Sequence, residues 1–291
     1  METYSIANRY LSVKIKQSGA ELASIQSIPE GIEYMWEADP QYWGRHSSIL
    51  FPIVGKVFEN NYQIDGRVYA LNQHGFARNM PFQVLEQSES SISLVLEHSE
   101  ESLRVYPYRF RFIARYTVKD RTVSIQYQVE NIDQQMIYFS VGAHPAFRVP
   151  LKAGEKRADY SLVFEKQETA VRHLIEQGYR TGQTESVLLA EKEIPIQDNL
   201  FEKDALIFKD LVSDQISLSN SSGKKIWTFS FNDFPYLGIW SKNATSPFVC
   251  IEPWFGVADK MGGYTNFKQK EGVLHLEKGE KFACEHKLYI H

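Results

Sequence analysis

Residues 109–129 read RFRFIARYTVKDRTVSIQYQV. Phe110, Phe112, Ala114, Tyr116 and Val118 alternate with Arg109, Arg111, Ile113, Arg115 and Thr117. After Lys119-Asp120-Arg121 the alternation resumes at Val123, Ile125, Tyr127 and Val129. Successive side chains of a strand point to opposite faces, so a period of two with one apolar face marks a half-buried strand. The polar break between two such runs marks a turn, and the segment reads strand, turn, strand.

Outward from this hairpin, shorter runs of the same kind lie at residues 11–15, 92–96, 216–218, 226–231, 236–240, 248–251 and 284–290, most of them bounded by Gly, Asn, Asp or Ser. Helical signals are confined to residues 99–104, ahead of Pro107, and 168–177, and neither is long enough to organise a core. The polar stretch 152–159 reads as a loop. No internal repeat, low-complexity tract or Pro/Gly-rich linker divides the chain, so residues 1–291 are expected to form one all-β domain, a large antiparallel β-sandwich whose concave face carries the site.

Composition narrows the function. With 32 Lys and Arg against 36 Asp and Glu, the net charge of −4 gives no electrostatic reason to expect nucleic acid or an acidic membrane surface as partner. Cys250 and Cys284 are too few for a disulfide framework and lack metal-ligand spacing, so both read as buried thiols. The first 17 residues lack the apolar stretch and cleavage site of a secretory signal, and nowhere do about 18 apolar residues run together, which predicts a cytoplasmic protein. A P-loop, G-x-G-x-x-G, G-x-S-x-G elbow and H-E-x-x-H are all missing.

Three segments place titratable residues inside apolar, aromatic text: Gln73-His74-Gly75-Phe76-Ala77-Arg78, Val141-Gly142-Ala143-His144-Pro145-Ala146-Phe147, and Val249-Cys250-Ile251-Glu252-Pro253-Trp254-Phe255-Gly256. Each His lies beside a Gly or Pro that removes bulk or fixes the backbone, which suits a ring aimed into a pocket. Glu252 follows an apolar run and precedes Pro-Trp, the position of a carboxylate at a strand end against an aromatic wall, where its pKa would rise and it can act as a base. A structural histidine, an ion-pairing Arg78 and a core Trp254 are the competing readings of the same residues.

Together with Leu50-Phe51-Pro52-Ile53-Val54-Gly55-Lys56 and Asp204-Ala205-Leu206-Ile207-Phe208, these segments, in this order, resemble the aldose 1-epimerase (galactose mutarotase-like) superfamily, and within it the LacX-like branch. The resemblance spans most of the chain. It implies a β-supersandwich, no metal or organic cofactor, and anomer exchange at C1 of a small-molecule aldose or sugar phosphate. By position, Glu252 matches the general base, His144 the general acid, His74 the second histidine near the ring oxygen, and Asp204 the hydroxyl-binding aspartate. Two departures stand out: Lys56 occupies the place of an arginine of the galactose branch, and His74-Gly75-Phe76-Ala77-Arg78 is closer to the hexose-6-phosphate side. Arg78, Arg45 and Lys56 then become candidate phosphate partners, and Trp254 and Phe147 candidate stacking surfaces for the pyranose. A sugar-binding or sensor protein without turnover is the alternative, and a glycoside hydrolase or lyase is a third reading that would require a second carboxylate such as Asp204.

Overall fold

The computed structural model describes residues 2–262 and 265–291. Strand accounts for 54% of the chain and helix for 8%. The opening hairpin forms as read: Phe110–Lys119 pairs antiparallel with Thr122–Asn131, Val118 opposite Val123, around a turn in which Asp120 takes a φ of 51°. Its alternating apolar residues, Phe112, Ala114, Tyr116, Ile125 and Tyr127, are all buried.

This hairpin sits inside a nine-stranded antiparallel sheet. Opposite it lies a five-stranded antiparallel sheet, in the order Leu206–Lys209, Tyr236–Trp240, Phe248–Phe255, Val141–Arg148, Ser47–Leu50. The two sheets meet through aromatic side chains: Phe147 on Trp227 at 4.6 Å between ring centroids, Phe51 on Phe112 at 5.0 Å and Phe164 on Phe208 at 6.1 Å. One buried cluster runs from Ile6 to Ile290 and takes residues from both sheets. Rings of this size bury large apolar area and fill the space between layers about 10 Å apart. Both thiols are buried and free.

The signal at residues 99–104 is a helix, Glu100–Val105, closed by a reciprocal cap in which Ser99 Oγ accepts from the Ser102 N–H and Ser102 Oγ accepts from the Ser99 N–H. The expected helix at 168–177 does not form. Residues 168–176 belong instead to Tyr160–Glu176, a 17-residue strand paired with the 17-residue Tyr179–Pro195. The turn Gln177-Gly178, with φ of 53° and 83°, supplies the two left-handed residues of a tight hairpin, and the β-branched Thr169, Val171 and Ile175 favour the strand. Four register irregularities interrupt the pairing of this hairpin, which obscures its period of two.

Candidate active site

The outer face of the five-stranded sheet, away from the main core, carries a polar row. Gly142 pairs with Trp254 and Ala146 with Cys250, which sets His144 directly across from Glu252. Glu252 in turn faces Gly238, and His144 faces Ser48. Glu252 is therefore mid-strand within Phe248–Phe255, not at the strand end expected from Pro253. Proline after each residue, Pro145 and Pro253, holds the preceding backbone extended. His144 Nε2 and Glu252 Oε2 lie 3.2 Å apart, with Glu252 only 2% exposed.

Trp254 lies flat across this sheet because two neighbours have no side chain. A Cβ on Gly238 would stand 2.5 Å from the Trp254 ring, and one on Gly142 would stand 2.7 Å from it. The indole thus floors one side of the cavity beside Glu252. Trp43 stacks on the His144 ring at 4.6 Å and 25°, and Trp240 meets it edge-on at 5.6 Å. Packing against these indoles and the Nε2 contact with Glu252 together orient the ring.

His74 enters from a loop. It adopts φ of 67°, unusual for a residue with a Cβ, and Gly75 follows with φ of 71°, where a Cβ would stand 2.2 Å from the Phe51 carbonyl oxygen. The His74 N–H donates to the Gly55 carbonyl at 2.9 Å, and the Gly55 N–H donates to His74 Nδ1 at 3.1 Å. With Nδ1 accepting, the neutral ring carries its proton on Nε2 and is a donor there, 3.3 Å from the Gln73 side-chain amide. The His74 and His144 rings are perpendicular, 5.8 Å apart.

Burial dominates the electrostatics. It pushes Glu252 well above the ordinary carboxylate range, with the Asp204 charge adding to it. It pulls His144 down to about 3, helped by Arg78 and Arg45, and lowers His74 well below 6.5 with His144, Arg78 and Arg45 contributing. Burial thus favours the uncharged form of each group, a carboxylic acid beside a neutral imidazole, and biases the proton of the pair towards Glu252.

These residues border a cavity of about 740 Å³, within the usual range for a small-molecule site. Glu252, His144, His74, Lys56, Arg78, Asp204 and Trp254 all line it. Two candidates do not. Phe147 is three residues from His144, so strand alternation turns it to the other face, where it packs on Trp227 and Phe229 in the main core. Arg45 stands behind Arg78, donating to the Arg78 carbonyl at 3.3 Å and to Asn79 Oδ1 at 2.7 Å. Lys56 spends its ammonium on the Gln177 carbonyl at 3.0 Å, fastening the tip of the long hairpin, whose Ile175, Gln177 and Gly178 form part of the wall. Trp43, Trp240, Gln73 and Lys242 also line the cavity and were not anticipated. Trp240 could have been reached from the alternation Tyr236, Gly238, Trp240; the others lie in loops whose course no period encodes.

The fold and the site define a β-sandwich protein with a buried carboxyl-imidazole pair lining a cavity of small-molecule size. More particularly, the family profile described as Aldose 1-epimerase matches residues 2–269, and the chain belongs to that family. The LacX proteins of Lactococcus lactis subsp. lactis, chromosomal and plasmid-borne, are each 34% identical to it over 96% of this chain and 97% of their own. A galactose mutarotase related enzyme from Lactobacillus acidophilus superposes with a TM-score of 0.95 at 33% identity, covering 100% of this chain and 97% of that one. A galactose mutarotase-like protein from Lactobacillus casei does so with a TM-score of 0.93 at 30% identity, over 100% of both. No helix among the described residues is long and apolar enough to cross a membrane.

Proposed function

We propose that this protein interconverts the α and β anomers of an aldohexose or hexose phosphate by acid/base ring opening. The observation that supports this most directly is the His144–Glu252 pair, 3.2 Å apart at the base of the cavity, with the His74 ring alongside. Opening a hemiacetal needs one group to take the C1 hydroxyl proton and another to protonate the ring oxygen. The reacting form is the pair's less favoured arrangement, with its proton on His144, leaving a carboxylate and an imidazolium. Trp43, stacked on the imidazole, stabilises that cation through its π face. Glu252 then takes the C1 hydroxyl proton while His144 delivers one to the ring oxygen; rotation about C1–C2 and reclosure with the roles reversed yield the other anomer. His74 donates through Nε2 and orients the sugar, Trp254 offers an apolar surface to the pyranose, and Asp204 accepts from a hydroxyl.

Arg78 and Lys242 favour an anionic substituent on the sugar. Both line the cavity, and neither forms an ion pair among the described residues; Arg78 donates to the Gln73 carbonyl at 2.7 Å and leaves its Nε without a partner. A phosphate would accept charge-assisted hydrogen bonds from these groups. Residues 1–291 act as one domain in this reading, on the strength of the shared core.

The test is the α-to-β exchange rate of glucose, galactose and glucose 6-phosphate, followed by NMR saturation transfer. Acceleration over buffer is expected for at least one sugar, with glucose 6-phosphate exceeding glucose in kcat/KM. No acceleration with any of the three removes the proposal, and equal values for the last two remove its phosphate part.

A further inference from the structure

His144, Cys250 and Glu252 each bring one donor atom to a common point, all within 4.8 Å of one another and all buried. The sheet builds this cluster. Cys250 and Glu252 are two residues apart on one strand and so share a face, and His144 faces Glu252 from the adjacent strand. Ligands around a four-coordinate zinc ion sit roughly 3.4–3.8 Å apart, given metal–ligand lengths near 2.0–2.3 Å. His144 Nε2 and Glu252 Oε2 are already 3.2 Å apart, so small rotations suffice to enclose an ion.

We propose that these three side chains form an inhibitory site for a thiophilic divalent first-row cation, Zn²⁺ foremost. The donor set, one imidazole nitrogen, one sulfur and one carboxylate oxygen, suits zinc and not magnesium or calcium, which take oxygen ligands. Charge agrees. A thiolate and a carboxylate neutralise the dication, so the occupied site carries no net charge where an isolated charge is costly. On binding, the Cys250 thiol proton and the proton shared by His144 and Glu252 leave to solvent, and a water from the cavity completes the coordination. The ion then occupies the His144 lone pair and the Glu252 oxygen that ring opening requires, so a bound metal stops exchange. That inhibitory consequence rests on the proposed function; the binding does not.

The full chain, stripped by a chelator, is titrated with Co²⁺. One equivalent is expected to bind, with a near-ultraviolet thiolate-to-cobalt charge-transfer band and the intense visible bands of four-coordination, all discharged by Zn²⁺. Cys250→Ser should lose the charge-transfer band and bind on the order of 100-fold more weakly. Cys284→Ser should retain the band. Zn²⁺ should abolish anomer exchange in the wild type and be reversed by EDTA, while Cys250→Ser, which keeps His144 and Glu252, exchanges at the wild-type rate in the same zinc. X-ray absorption of the zinc-loaded wild type, which needs no variant to fold, should show one sulfur at about 2.3 Å with nitrogen or oxygen neighbours. A wild type without the cobalt band or the sulfur shell, or a band that survives in Cys250→Ser, overturns the site. Cobalt binding with this signature in a protein that exchanges no sugar leaves the site standing and removes the epimerase reading instead.

Discussion

Gly238→Ala tests the seat of Trp254. The added Cβ would stand 2.5 Å and 2.6 Å from two carbons of the indole six-membered ring, where ordinary contact begins at about 3.4 Å. Gly238 is in a paired strand between Leu206–Lys209 and Phe248–Phe255, so its backbone is held from both sides. The ring must therefore rise by roughly 1 Å into the cavity, as close-packed interiors yield little elsewhere. Overpacking of this kind costs about 1–3 kcal/mol. Urea unfolding should show that loss in Gly238→Ala, against a change within about 0.5 kcal/mol for Gly44→Ala, whose nearest contact is 3.9 Å. In a Trp254→Phe background the smaller ring should make the same alanine cheaper by at least about 1 kcal/mol, a coupling expected only for residues in contact. A displaced ring also narrows the sugar's bed without moving Glu252, so KM should rise more than kcat falls. An equal cost of the alanine in both backgrounds would refute the flat indole.

Three further expectations concern charge. His286 is buried against Tyr127, Phe229 and Phe234, and burial alone holds it at about 3 against 6.5 for the exposed group. Between those values the unfolded chain binds a proton that the folded one excludes, so stability falls as pH drops below 6.5; at pH 5 this one group costs about 2 kcal/mol, and urea unfolding of His286→Phe should lose that much less than wild type between pH 7 and pH 5. His144 titrates at about 3 and Glu252 well above the carboxylate range, so kcat/KM should be flat through pH 6.5; an acid limb there contradicts the one-proton pair. Arg78→Leu should lower kcat/KM for glucose 6-phosphate by about 10- to 100-fold more than for glucose, the worth of a charge-assisted hydrogen bond, and equal losses would exclude a phosphate contact.

Much of the fold was legible because its main determinant is local alternation. Phe110 to Val118 and Val123 to Val129 announce a sheet with one apolar face, and both strands form as read. The long hairpin was not legible at 168–177, because its pairing partners lie in residues 179–191 and its irregular register blurs the alternation. At the site, His74, His144 and Glu252 were conspicuous as polar residues in apolar text, and burial confirms the incongruity. Phe147 misled because adjacency in sequence is not adjacency across a sheet: one odd step turns it to the core. Trp43 escaped notice because its contact with His144 joins a loop to a strand about a hundred residues away, which no period records. Lys56 lines the cavity, but its partner, the Gln177 carbonyl, depends on where the hairpin tip comes to rest.

The central claim is that Glu252 and His144 form one proton-transferring pair, and Glu252→Gln interrogates it most directly. Glutamine keeps the shape and hydrogen-bonding reach of the side chain but cannot accept the C1 hydroxyl proton. Anomer exchange of the best sugar should fall by about 10²–10⁴, with sugar binding, measured by calorimetry, within a few-fold of wild type. Exchange at the wild-type rate in Glu252→Gln would contradict the account.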